Sequence, residues 1–262
     1  MSTPLQIIDE RLLERIVTVS HPKAIFSSGN LWIILLADNS MYTIEDVARL
    51  LNPLFHAHKV TKFIVVSYGQ LVADIRKVNL FVCASCLSEN LIYDPEGLII
   101  STPEIGKRAQ ALEQATSQFH YGLGRSGAFA DGATFYFAKK ELPIAMFMLH
   151  QAIELLLRGI LISLTNYNLR SHSLNEFNNK IRKCAPKLVF LEDGALEEKY
   201  LLEQLEYSYS SARYNLAYEV GEERVLLVFE KIRSYTNLAT QIFNSMVSTF
   251  KNAYPLITSY EK

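Results

Sequence analysis

AMFMLHQAIELLLRGIL, residues 145–161, is the stretch that decides the fold. At 3.6 residues per turn, Met146, Leu149, Ile153 and Leu156 line one apolar face. Gln151, Glu154 and Arg158 follow at i, i+3 and i+7, and His150 stands four before Glu154. A polar seam therefore runs along an otherwise greasy helix, and polar groups so placed need partners or water. The structural reading is a seam that pairs with itself, Glu154 with Arg158 as an i,i+4 ion pair, and so fixes the register of a bundle. The functional reading is the floor of a polar groove.

Working outward from that helix, everything beyond Thr102-Pro103 carries helical periodicity. The spacing predicts helices over 104–120, 143–165, 173–185, 196–216 and 222–250. The first hundred residues mix signals. An amphipathic helix lies near the start (Leu5, Ile8, Leu12, Leu13, Ile16), and strands are expected at "AIF", "LWIILLA" (31–37, buried on both faces), "KFIVVSY" (62–68) and within "ENLIYDPEG" (89–97). Between them, Thr43 can cap a helix striped by Val47, Leu50, Leu51 and Leu54, and "GQLVADIRKV" predicts a further short helix. The expected fold class is α+β, with a small α/β domain over 1–100 and an all-α, up-and-down helical bundle over 104–262.

"YGLGRSG" (121–127) spells the dinucleotide fingerprint G-x-G-x-x-G. That fingerprint needs a preceding strand, and an acidic residue about twenty positions on. Here a helical pattern precedes it and the acidic residue is missing. With four glycines between 122 and 132, the segment reads instead as a break between two helices.

The 262 residues are 49% hydrophobic and 20% charged with a net charge of −1, so no global basic field draws nucleic acid. Three cysteines are too few for a disulfide framework and point to a reducing, cytoplasmic setting. The apolar run 144–164 is interrupted by His150, Gln151, Glu154 and Arg158, which argues against a membrane span. Cys83 and Cys86 form a lone C-x-x-C with no second ligand pair: two small buried side chains or a redox pair. His56 and His58, two apart, do not share a helix face. No metal and no cofactor are expected.

A second signal is "YSYSSARYNLAYEV" (207–220). On a helix Tyr207, Tyr214 and Tyr218 share a face, and Tyr209 stands one turn before Arg213. Arg213 among tyrosines can stack on or pair with a planar anion, while the tyrosines alone suit core or interface positions.

At these residues the chain resembles the HEPN family, the higher eukaryotes and prokaryotes nucleotide-binding domains. "FMLHQAIELLLRGIL", "SHSL" (171–174) and "YSSARYNLAYEV" carry the resemblance, over about 104–250. It implies a helical bundle, often dimeric, and the wealth of Tyr and Phe in 119–137 and 207–218 likewise suits a homodimer. Many members are ribonucleases whose motif is an Arg followed, after four to six intervening residues, by a His. Arg213 fits the Arg, but Tyr218, Glu219 and Val220 stand where the His would, and Arg170 is too close to His172. HEPN domains often accompany a minimal nucleotidyltransferase. "AIFSSGN" is similar to that enzyme's Gly-Ser turn, but the paired carboxylates for magnesium are missing from "LWIILLA", and Asp38 comes only after it. The first domain thus reads as a degenerate nucleotidyltransferase.

The expectation is a non-catalytic protein that binds a nucleotide, RNA or a protein partner, in a toxin–antitoxin or stress setting. The alternatives are a ribonuclease or nucleotidyltransferase with unorthodox residues, and a dimerisation scaffold. Its groove is expected to join His150, Gln151, Glu154 and Arg158 to Arg213, with His172 at the rim and Tyr214 as a stacking face.

Overall fold

A computed structural model describes residues 10–58, 62–191 and 196–255. The chain divides into two compact units, one of residues 1–108 together with 250–262, the other of 109–249.

The first unit opens with α1 (Glu10–Ser20), followed by β1 (Ala24–Ser28), β2 (Leu31–Leu36), α2 (Ile44–Ala57), β3 (Lys62–Ser67), α3 (Tyr68–Arg76), α4 (Leu80–Ser85) and β4 (Leu91–Tyr93). The sheet is mixed, in the order β3-β2-β1-β4, with β2 parallel to β3 and β1 antiparallel to both β2 and β4. All six residues of β2 are buried, as its unbroken apolar run predicts. Trp32, Ile34 and Leu36 join a core with Leu12 and Ile16 of α1 and Val47, Leu51 and Phe55 of α2, while Leu31, Ile33 and Leu35 are buried on the opposite face. Thr43 caps α2 through a capping box with Asp46.

"AIFSSGN" proves to be β1 and a two-residue hairpin, Ser28 pairing with Leu31, and Gly29 supplies the positive φ of 59° that such a turn needs. Asp38, beyond β2, accepts a hydrogen bond from the Gly69 N–H at 2.8 Å. At the chain's other end, Phe250 and Tyr254 are buried in this unit, the Tyr254 hydroxyl donating to the Cys83 carbonyl at 3.3 Å.

The helical region comprises α5 (Ile105–Ala138), α6 (Leu142–Thr165), α7 (Leu174–Ile181), α8 (Leu196–Tyr214) and α9 (Glu222–Ala253). The chain as a whole is α+β, a small mixed sheet with its helices and then helices alone. The expected break at 121–127 is not there: α5 runs through the glycine-rich segment as one helix of 34 residues. The reason is packing. A Cβ on Gly122 would lie 2.6 Å from Gly159 Cα of α6, and one on Gly159 2.9 Å from Gly122 Cα. Both glycines let two backbones cross at contact distance, which offsets a helix cost of about 1 kcal/mol each. The chain turns later, at Lys140, which takes φ 62° without being glycine.

The α6 stretch is the only one among the described residues long and apolar enough to cross a membrane, and 67% of it is buried, as in a core helix. Phe119 of α5 stacks on Phe243 of α9 with centroids 4.2 Å apart. The helix α8 stops at Tyr214, so Tyr218 lies beyond it rather than on its face; it is buried and meets Tyr207 edge-on at 5.6 Å.

Candidate functional site

The seam on α6 is centred on Glu154, whose side chain is 3% exposed. Its Oε1 accepts from Arg158 Nη2 at 2.7 Å. Its Oε2 accepts from the Gln151 amide at 3.2 Å and lies 3.0 Å from His172 Nδ1. Arg158 does more than pair with Glu154. It donates from Nη1 to the Leu169 carbonyl and from Nη2 to the Ser171 carbonyl at 2.7 Å. Its guanidinium also lies over the Phe177 ring of α7, 5.0 Å from the centroid. Arg158 thus straps the segment between α6 and α7 onto α6, and that strap fixes where His172 stands.

Glu206 of α8 takes up the start of α7. Its Oε1 accepts from Ser173 Oγ (2.9 Å), the Asn175 N–H (2.8 Å) and the Asn175 amide (3.0 Å), and Ser173 itself caps α7. Burial alone would push the Glu206 carboxyl up; the His150 imidazole together with the Asn175 and Ser173 donors outweighs it, and the net shift is downward. His150 is fully buried. Its Nδ1 lies 3.4 Å from the Gln151 amide nitrogen, and its Nε2 faces Glu206 Oε2 at 3.9 Å, beyond hydrogen-bond reach, with no partner among the described residues.

Tyr209 of α8 joins this network to the surface. The His172 ring is parallel to it (centroids 4.8 Å apart, 19° between planes), and His150 approaches it at 5.1 Å. The Arg213 guanidinium lies 4.5 Å from the Tyr209 centroid and 5.0 Å from those of Phe147 and Tyr214. Its Nε donates to the Tyr209 carbonyl at 2.9 Å, and it makes no ion pair among the described residues. Arg213 and Tyr214 are exposed.

The structure therefore places His150, Gln151, Glu154, Arg158 and His172 in one hydrogen-bonded set. It holds Arg213 beside that set through Tyr209 rather than by direct bonds. Glu206 and Tyr209 complete the arrangement and were not among the residues expected to form the groove. Tyr209 had a signal, one turn before Arg213; Glu206 had none, because its partners lie more than thirty positions away.

Elsewhere the chemistry is quiet. Cys83 and Cys86 are buried and their thiols are pushed up to about 12, chiefly by desolvation, which disfavours the thiolate a redox pair needs. His56 is exposed in the last turn of α2 and His58 follows that helix, and no group of metal-holding side chains occurs among the described residues.

A comparison with curated proteins finds no match for the chain. Residues 120–243 match the family described as HEPN domain. Every residue of the site, from Phe147 on α6 to Tyr214 on α8, falls inside the matched stretch.

Proposed function

We propose that this HEPN-like domain binds a nucleotide or single-stranded RNA around Arg213 without cleaving it. The family is one of nucleotide- and RNA-related function. One observation carries the reading: Arg213 is exposed and surrounded by Tyr209, Phe147 and Tyr214, and its terminal Nη groups have no protein acceptor among the described residues. A guanidinium held flat by rings and left unpaired suits bidentate bonds to a phosphate, and exposed Tyr214 offers a face to a base. Arg158, its charge already committed to Glu154 and two carbonyls, is not part of the ligand surface.

The non-catalytic half of the reading rests on Tyr218. It occupies one of the positions where the family's ribonucleases carry a histidine, and its hydroxyl is pushed up to about 12, mainly by burial. Such a group does not exchange protons near neutral pH.

Fluorescence anisotropy with a labelled single-stranded RNA tests the proposal, with a denaturing gel run on the same samples. Wild-type protein binds and leaves the strand intact, whereas Arg213→Ala loses binding and keeps its melting temperature. Unchanged binding by Arg213→Ala, or RNA cleavage that depends on it, defeats the reading.

The exposed residues Leu196, Tyr200, Tyr207 and Tyr214, the tyrosines seven apart along α8, favour a homodimer as well. Light scattering that gives the mass of a single chain at micromolar concentration removes that addition. A cytoplasmic setting, a protein partner in a toxin–antitoxin pair and a degenerate nucleotidyltransferase ancestry for the first unit fit the same picture. Transfer of a labelled nucleoside triphosphate that Asp38→Ala abolishes would end the last of these.

A further inference from the structure

We infer that His172 is a proton-linked contact of the ligand site: it takes up a proton when a phosphate group binds at Arg213, so that affinity rises as pH falls. This rests on the reading of the Arg213 surface as the site.

The geometry sets the tautomer first. The Glu154 carboxylate is acceptor-only toward His172, so the ring nitrogen 3.0 Å from it, Nδ1, must be the donor. In the neutral ring Nε2 then carries only a lone pair. The His172 side chain is 59% exposed, and Nε2 has no partner among the described residues. Protonation therefore adds one N–H at the open end of the ring and leaves the Glu154 bond in place. The ring cannot swing away freely, because Arg158 holds the segment just before it through Leu169 and Ser171, Glu206 holds Ser173 just after it, and the Tyr209 ring lies parallel to it.

The charges around His172 explain why a ligand supplies the bias. From α6, Glu154 favours the imidazolium, but that carboxylate is already shared with Arg158. From α8, Arg213 rests on the same Tyr209 ring and opposes a second positive charge. Arg170, two residues back on the same segment, is exposed and opposes it as well. His150 stands near the Tyr209 ring, and Glu206 is bonded to Ser173 and Asn175 rather than to His172. An anion bound to Arg213 cancels one opposing charge and accepts from the new Nε2–H. Histidine is the side chain whose charge ordinarily changes between about pH 5 and 8, and that sets the pH range to be measured. Uptake of one proton limits the slope to about tenfold in affinity per pH unit.

The test is anisotropy with a labelled eight-nucleotide RNA lacking terminal phosphates, whose phosphodiesters keep their charge, from pH 5.5 to 8 at fixed ionic strength. Wild-type affinity is expected to fall at least fivefold across that range, and His172→Gln to stay flat at the wild-type alkaline level. Thermal melts of His172→Gln should match wild type, since the side chain is exposed. A flat wild-type profile, or a slope that survives in His172→Gln, overturns the inference while leaving Arg213-dependent binding intact. Retained binding in Arg213→Ala overturns instead the site reading beneath it. Competition by adenosine monophosphate then separates the two sources of phosphate: displacement of the strand points to free nucleotides, and no displacement to RNA.

Discussion

Arg158 and Arg213 are the same side chain in two employments. Arg158 sits behind the surface, bonded to one carboxylate and two carbonyls and lying over one ring. Arg213 lies among three rings, bonded only to its own helix, with its fork unpaired among the described residues. A buried cation must be matched group for group, because the desolvation it suffers is otherwise uncompensated. An exposed one can wait for its partner. The difference separates the part of the seam that builds the domain from the part that meets a ligand, and Tyr209 stands between them.

The largest expected effect comes from breaking the buried side. Glu154→Ala removes the carboxylate that pairs with Arg158, accepts from Gln151 and orients His172. Stranding a part-buried charge costs about 3–5 kcal/mol at the upper end of what such pairs show. Chemical denaturation should reveal a loss of that order with an unchanged denaturant slope. A loss within measurement error would mean that the strap on the 166–173 segment contributes little to the fold.

A smaller effect tests the charge on α8 that faces inward. Glu206 has its carboxyl lowered from the ordinary 4.5, with the His150 imidazole and the Asn175 and Ser173 donors outweighing burial. A lowered folded-state value means stability that is fully present above the unfolded value and is lost as pH falls through the folded one. Acid melts of wild type should therefore lose stability below about pH 4.5, and Glu206→Gln should lose less over the same interval. Parallel curves for the two proteins would show that the Glu206 contacts do not discriminate the carboxylate from its amide.

Most of the helical unit was legible because its residues act within a turn or two of one another. The i,i+4 pair Glu154–Arg158 is a local fact, and it stands in the structure. The run "LWIILLA" announced a strand buried on both faces for the same reason. The glycines of 121–127 misled, because the local cost of glycine in a helix was weighed without the facing Gly159, thirty-seven positions away. Glu206 escaped for a like reason: a carboxylate on a long helix is ordinary until the chain brings Ser173 and Asn175 to it. Lys140, which makes the real turn, carries no turn signature at all.

The smallest effects give the sharpest form of the comparison, one substitution made twice. Arg158→Lys keeps the charge but replaces a planar fork that serves Glu154, Leu169 and Ser171 together with a single ammonium. At least one carbonyl or carboxylate bond is lost in a part-buried setting, worth about 1–2 kcal/mol, and the melting temperature should fall accordingly. Arg213→Lys touches no such set. Its guanidinium lies on rings at the surface, and no melting shift is expected. What it loses is the flat, two-pronged face toward a phosphate, so RNA affinity should drop by less than in Arg213→Ala but measurably, while Arg158→Lys binds RNA normally at temperatures where it is folded. If both lysine variants moved stability and affinity in the same proportion, the two arginines would belong to one site, and the division between a structural seam and a ligand surface would fail.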